Sequence, residues 1–167
     1  DLHVLTHSFP HDALPISAQA VASMSTLNRV AAEVAHNFTI HACTDVTGFS
    51  LMGHSVEMAS ASNVTIHIKT YDIPLFDDVI EAAQMGLVPA ASYGNRKAIT
   101  DVQVDANLDG VWTDILFDPQ TSGGLLFSVP ATEGPNLVKA LHDVGVEGAT
   151  IVGVVESFSG LAVRVTK

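Results

Sequence analysis

The run Ala42–His54, A-C-T-D-V-T-G-F-S-L-M-G-H, places one carboxylate, two glycines and the start of a helical pattern within thirteen residues, and the rest of the chain must be arranged around it. Ile40 and Ala42 read as the end of a short buried strand. Thr47 is a suitable N-cap for a helix from Gly48 to about Ala61. On that helix Phe49, Met52, Val56 and Ala59 fall on one apolar face, with Gly53 beside them where a second backbone can approach. Ser50, His54 and Glu57 share the polar face. Asp45 therefore stands at a strand-to-helix junction, where it has two readings. It can cap its own turn by accepting backbone N–H bonds, or it can be an oxygen ligand of Mg²⁺, which takes one or two carboxylates plus substrate phosphates rather than an all-protein cage. Spacing alone favours the first reading without closing the second.

A second run, F-D-P-Q-T-S-G-G-L-L at Phe117–Leu126, changes that balance. The two runs resemble the signature segments of the C-terminal domain of selenophosphate synthetases (selenide, water dikinases). G-L-V-P-A-A-S-Y-G-N-R (Gly86–Arg96) is similar to a third family segment, and A-S-M-S-T-L-N-R (Ala22–Arg29) to the helix before the first. The likeness runs from about Ser17 to Val155. It implies one α+β domain over residues 17–167: a mixed, largely antiparallel sheet of about four to six strands with helices packed on it, of the kind shared with aminoimidazole ribonucleotide synthetase and its relatives. It also implies that Asp45 helps bind the Mg²⁺ that accompanies ATP. The implied substrates of the intact enzyme are ATP, selenide and water, and its products selenophosphate, AMP and phosphate. The catalytic Cys or selenocysteine, with its Lys, belongs to a Gly-rich segment of an N-terminal ATP-binding domain that these residues do not include. No catalytic residue is therefore assigned here, the fragment is expected to be inactive alone, and the full-length protein is expected to be a cytoplasmic homodimer.

Three positions depart from the family pattern. Ser50 stands where the family usually has Gly, and Ala90 and Ala91 precede Ser92 where the family has Gly-Gly before Thr. Glycine at such places permits positive φ or close approach of a phosphate, so no ligand role is given to Ala90–Ser92. Two further readings stay open: the same domain in a purine-synthesis or thiamine-phosphate kinase type of enzyme, and a non-catalytic domain that binds a ligand or partner.

Bulk properties narrow the classes. The chain has 167 residues, 47% hydrophobic and 15% charged, enough for a good core and unlike a disordered chain. Seven basic against eighteen acidic side chains give a net charge of −11, which disfavours nucleic acid and makes phosphate binding depend on a metal or on backbone donors. Cys43 is the only cysteine, so no intramolecular disulfide forms, and it reads as a small buried residue rather than a nucleophile. There is no apolar run long enough to span a membrane and no signal-peptide pattern. The histidines from His36 onward have no zinc-ligand spacing.

Residues Asp1–Ile16 lack an amphipathic period and contain three of the eight histidines. They read as non-family sequence, an artefact of assembly at a truncated gene end or a disordered arm. From Ser17 a single apolar stripe of Ala20, Met24, Leu27, Ala31, Val34 and Phe38 predicts one helix of about five turns. Val64–Lys69 alternates as a strand with Val64, Ile66 and Ile68 inward and Thr65, His67 and Lys69 outward. Pro74 opens a helix that Gly86 ends, with Leu75, Phe76, Val79, Ile80 and Ala83 on its buried side; Asp77 and Asp78 read as solvated. Asn95–Lys97 is a small basic island. Val102 and Val104 have weak strand character, and Asp101, Asp105 and Asp109 read as a solvated face or loop. Asp118–Gly124 reads either as an anion-binding nest or as a turn feeding the strand Leu125–Val129, and it is taken as scaffold beside the site. Thr132 caps a helix buried through Leu137, Leu141 and Val144 and ended by Gly145. Ile151–Glu156 and Leu161–Val165 are expected to form a hairpin.

Overall fold

The computed structural model describes residues 2–4 and 14–167, with side chains from residue 18 onward. In chain order the elements are β1 (Leu2–Val4), α1 (Leu14–Ser25), α2 (Arg29–Ala35), β2 (Ala42–Asp45), α3 (Ser50–Ser62), β3 (Val64–Lys69) and a 3₁₀ turn (Thr70–Asp72). They continue with α4 (Val79–Gln84), α5 (Ala90–Ala98), β4 (Val102–Val104), α6 (Gly110–Leu116), β5 (Leu125–Ser128), α7 (Gly134–Asp143), β6 (Thr150–Ser157) and β7 (Val163–Thr166).

The strands form one sheet in the order β2-β5-β1-β6-β3-β7-β4. The β2–β5, β5–β1, β1–β6 and β6–β3 pairs are antiparallel, and β3–β7 and β7–β4 are parallel. The sheet is thus mixed and largely antiparallel, as expected. Among the described residues it has seven strands rather than about four to six, because Leu2–Val4 runs between β5 and β6. The rest of the expectation for residues 1–16 falls largely outside the described residues.

Two cores lie on opposite faces. Leu126 and Phe127 are neighbours on β5, so their side chains leave the strand on opposite sides. Leu126 joins Met52, Ala59, Ile66, Ile68, Leu116, Val152, Val163 and Val165 under α3, while Phe127 joins Ala31, Ala35, Val129, Leu137, Leu141 and Ala149 under α2 and α7. The β2–β5 end of the sheet is therefore clamped between helices on both sides.

Several expectations need correction. The stripe after Ser17 does not form one helix. Ser25 Oγ bonds the carbonyls of Val21 and Ala22, and Thr26 Oγ1 bonds that of Ala22 at 2.7 Å, so side chains satisfy the carbonyls that a continuing helix would use. The chain breaks between α1 and α2, and Leu27 is exposed. The expected hairpin between the last two strands is also absent: β3 lies between β6 and β7. Thr65 Oγ1 donates to the Leu161 carbonyl at 2.7 Å and accepts from the Ser159 amide at 3.0 Å, which carries the connection across the end of β3 and buries Thr65. α4 starts at Val79 rather than at Pro74, and α7 is preceded by Glu133 rather than capped by Thr132. Glu133 is held instead by the Thr39 amide and hydroxyl. Val144 is exposed, while Leu137 and Leu141 are buried and Gly145 ends the helix at positive φ as expected.

Candidate functional site

The segments that resembled one family come together at the head of α3. β2 pairs with β5 so that Asp45 faces Leu125, and beyond the last pair the Val46 amide donates to the Gly124 carbonyl at 2.9 Å. Val46 is fully buried. A Cβ on Gly123 would overlap the Val46 carbonyl oxygen, so only glycine lets these two strands of backbone meet. The Gln120 amide donates to the Thr47 carbonyl at 3.1 Å. Asn95, from the third segment, donates through Nδ2 to the carbonyls of Gly48 at 2.9 Å and Phe117 at 3.1 Å. Asn28, from the fourth, donates to the Gly123 carbonyl at 3.0 Å. Asp118–Gly124 thus acts as the turn that feeds β5 and as a scaffold for the loop after Asp45.

Asp45 ends β2 with its side chain exposed, at the junction the sequence indicates. No donor among the described residues reaches its carboxylate, so it does not cap its own turn. Thr47 does not cap α3 either. The residue before that helix is Phe49, which makes no side-chain cap, and the Thr47 hydroxyl meets His54 Nε2 at 3.0 Å. His54 Nδ1 in turn meets Glu57 Oε2 at 3.2 Å. The expected polar face is therefore wrong for two of its members: Ser50 and His54 are buried, and only Glu57 is exposed. Phe49, expected in the core, is 62% exposed, with its ring edge-on to the imidazole of His54.

Ser50 has φ +70° and is fully buried. A serine in that conformation is strained, which matches glycine being usual there in the family it resembles. Ala90 and Ala91 are different. They open α5 with no positive φ and are exposed, so they carry no such strain. Ser92 behind them is fully buried, and its hydroxyl has no partner among the described residues. In the basic island, Arg96 pairs with Asp114 at 3.1 Å. Asp105 and Asp109 serve local turns: Asp105 accepts from the Asn107 amide, and Asp109 caps α6 by accepting from the Val111 amide.

Cys43 is exposed, contrary to the buried placement expected, because β2 is an edge strand whose alternate side chains face outward. Partial burial, and then the neighbouring Asp45 carboxylate, push its thiol up, which disfavours the nucleophilic thiolate. Asp118 is 5% exposed, and burial pushes its carboxyl up to about 7 although Gln120 Nε2 donates to it at 2.6 Å. Among the described residues no three His, Cys, Asp or Glu side chains cluster as a metal cage. A divalent cation here would have to take a single protein carboxylate and find its other ligands elsewhere. Mg²⁺, with its waters and substrate phosphates, fits that donor set.

A mixed sheet clamped by α2 and α7 on one face and α3 on the other, with the turns after β2 and before β5 joined at its β2–β5 end, defines an α+β domain. The chain belongs to the family described as AIR synthase related protein, C-terminal domain, which it matches over residues 8–166. It is 43% identical over 140 residues to the selenide, water dikinase of Pelobacter propionicus, covering 83% of this chain and 40% of that protein. It is 43% identical over 139 residues to the selenide, water dikinase of Clostridioides difficile, with 83% and 40% covered. The chain thus spans about 40% of the length of these relatives. Among solved structures, HypE in a HypE–HypF complex superposes with a TM-score of 0.65 at 15% identity, over 99% of this chain and 48% of that one. That likeness is one of fold.

Sequence reasoning missed Asn28, Asn95 and His54. The two asparagines lie inside segments that resembled the family, but their carbonyl partners are 95, 47 and 22 residues away in the chain. His54 carries a local signal: with Thr47 seven residues before it and Glu57 three after, both partners sit within a helical turn or two.

Proposed function

We propose that this chain is the C-terminal domain of a selenophosphate synthetase and supplies one wall of its ATP site, with Asp45 as one ligand of the Mg²⁺ that accompanies the nucleotide. The observation that carries the reading is the Asp45 carboxylate itself, which is exposed, free of hydrogen bonds from the described residues, and set at the end of a strand that the second signature segment holds in place. A carboxylate retained only to close a turn would be engaged with that turn.

The part played by this chain is to hold one exposed oxygen rigidly at the end of β2. Val46, Gly123 and Gln120 immobilise the backbone on either side of it. When bound, Mg²⁺ neutralises phosphate oxygens as charge shifts during transfer. The net charge of −11 opposes the approach of a bare polyphosphate, and a bound cation offsets that repulsion. The other ligands, with the catalytic Cys or selenocysteine and its Lys, belong to an N-terminal ATP-binding domain of a cytoplasmic homodimeric enzyme. That enzyme converts ATP, selenide and water to selenophosphate, AMP and phosphate.

The test is AMP formation from ATP and selenide. The purified 167-residue chain is expected to form none, and the same residues within a complete enzyme to support it. Turnover by the chain alone would contradict the assignment of the catalytic groups to another domain, and an inactive complete protein would contradict the proposed reaction.

A further inference from the structure

The hydrogen bonds around Thr47 have a direction. A carboxylate only accepts, so the contact between Glu57 Oε2 and His54 Nδ1 at 3.2 Å requires the proton on Nδ1. In the neutral imidazole Nε2 is then bare, and the Thr47 hydroxyl, 3.0 Å away, must donate to it. His54 is 7% exposed, with the Phe49 ring standing at 61° to it, so the imidazole is fixed between these groups. Beside the neutral imidazole, Thr47 Oγ1 has spent its only proton, and its remaining lone pairs can only accept. Val46, between Asp45 and Thr47, is fully buried, whereas Asp45 is exposed and Thr47 half-buried, so the hydroxyl lies two residues along the chain from the carboxylate and is not sealed in the core.

We infer that His54 is a positioning residue that, braced by Glu57, turns the Thr47 hydroxyl, two residues after Asp45, into a pure acceptor, suited to a water on a hydrated divalent cation and unsuited to a phosphate oxygen. The inference rests on the Asp45 reading and extends it from one ligand to its surroundings. Mg²⁺ keeps several of its waters, and these are strong donors that need acceptors. A free hydroxyl would rotate to serve either a donor or an acceptor; the Glu57–His54–Thr47 chain removes that choice, as outer partners do around many metal ligands.

The test uses the 167-residue chain with ¹⁵N-labelled histidine. The imidazole spectrum of His54 is expected to show the neutral form protonated on Nδ1, and Glu57→Leu, a change at an exposed position, is expected to release that preference. Mn²⁺, a paramagnetic substitute for Mg²⁺, is then titrated while broadening of the Asp45–Gly48 amides is followed. Asp45→Asn should remove the broadening, and Thr47→Val and Glu57→Leu should weaken it about tenfold, with Thr47→Ser within about twofold of the unaltered chain. A proton on Nε2 in the unaltered chain overturns the inference. So does a Thr47→Val chain that binds Mn²⁺ as the unaltered one does, a result that leaves Asp45 standing as a ligand. Broadening that survives Asp45→Asn overturns the Asp45 reading and the cation-facing role of Thr47 with it, while the tautomer spectrum still judges the hydrogen-bond chain.

Discussion

The carbonyl of Val46 and the α-carbon of Gly123 are packed so closely that no side chain fits between them. Two of the segments that resembled the synthetases, more than seventy positions apart in the chain, are thereby fastened backbone to backbone, with the Val46 amide on the Gly124 carbonyl closing the join.

Gly123→Ala should therefore be among the most damaging small substitutions available. The obstructing atom is backbone and cannot swing away, so a loss of about 3 kcal/mol is expected, read as a lower urea midpoint. Gly48→Ala is the control, since a Cβ there meets open space.

At Ser50 the expected change has the opposite sign. The residue sits at φ +70°, where a Cβ is strained and glycine is not. Ser50→Gly should raise stability by about 0.5–1 kcal/mol, measured by thermal or urea unfolding. Ala90→Gly should not, because that residue is the first of a helix and has no strain to relieve.

Asn95 holds two carbonyls that belong to different segments. Asn95→Ala leaves both without this donor in a buried place, and about 2–3 kcal/mol of stability should go with it. Hydrogen exchange should show the loop from Val46 to Phe49 opening more readily than the sheet.

Asp118 gives a pH signature. Burial raises its carboxyl from 3.8 to about 7, so the folded chain binds a proton more tightly than the unfolded one. The stability linked to that proton is fully present below about pH 4 and is lost as pH rises through about 7, by at most about 4 kcal/mol. Asp118→Asn should remove this loss, so that the difference in unfolding free energy between the variant and the unaltered chain grows from pH 4 to pH 7. A difference independent of pH would show that the carboxyl titrates normally.

Much of this was legible in residue order. The strand Val64–Lys69 was read with its observed bounds because isoleucines alternate with polar residues, and the Asp45 junction because a strand pattern gives way to a helical one across a single turn. Leu125 onward was read as a strand because Pro119 and two glycines precede it. What escaped was set by partners distant in the chain. Nothing near Asn28 or Asn95 announces a carbonyl waiting at Gly123 or Gly48, and an apolar stripe does not show that Ser25 and Thr26 will turn their hydroxyls back on the helix that carries them. The insertion of β3 between β6 and β7 depends on a threonine gripping a loop 94 residues later. Spacing puts His54 and Ser50 on a solvent face, whereas α5, through Asn95, and α6 pack against that helix and its entry loop.

The account turns on the oxygen that Asp45 offers, and the most direct measurement is Mg²⁺-dependent AMP formation by a complete selenophosphate synthetase carrying this domain, with and without Asp45→Ala. Because the side chain is exposed and makes no hydrogen bond with the described residues, the substitution should leave the melting temperature within about 1 °C, in line with surface changes that break no contact. Turnover should fall to background at every Mg²⁺ concentration. Turnover within a few-fold of the unaltered enzyme, with the same Mg²⁺ dependence, would contradict the account.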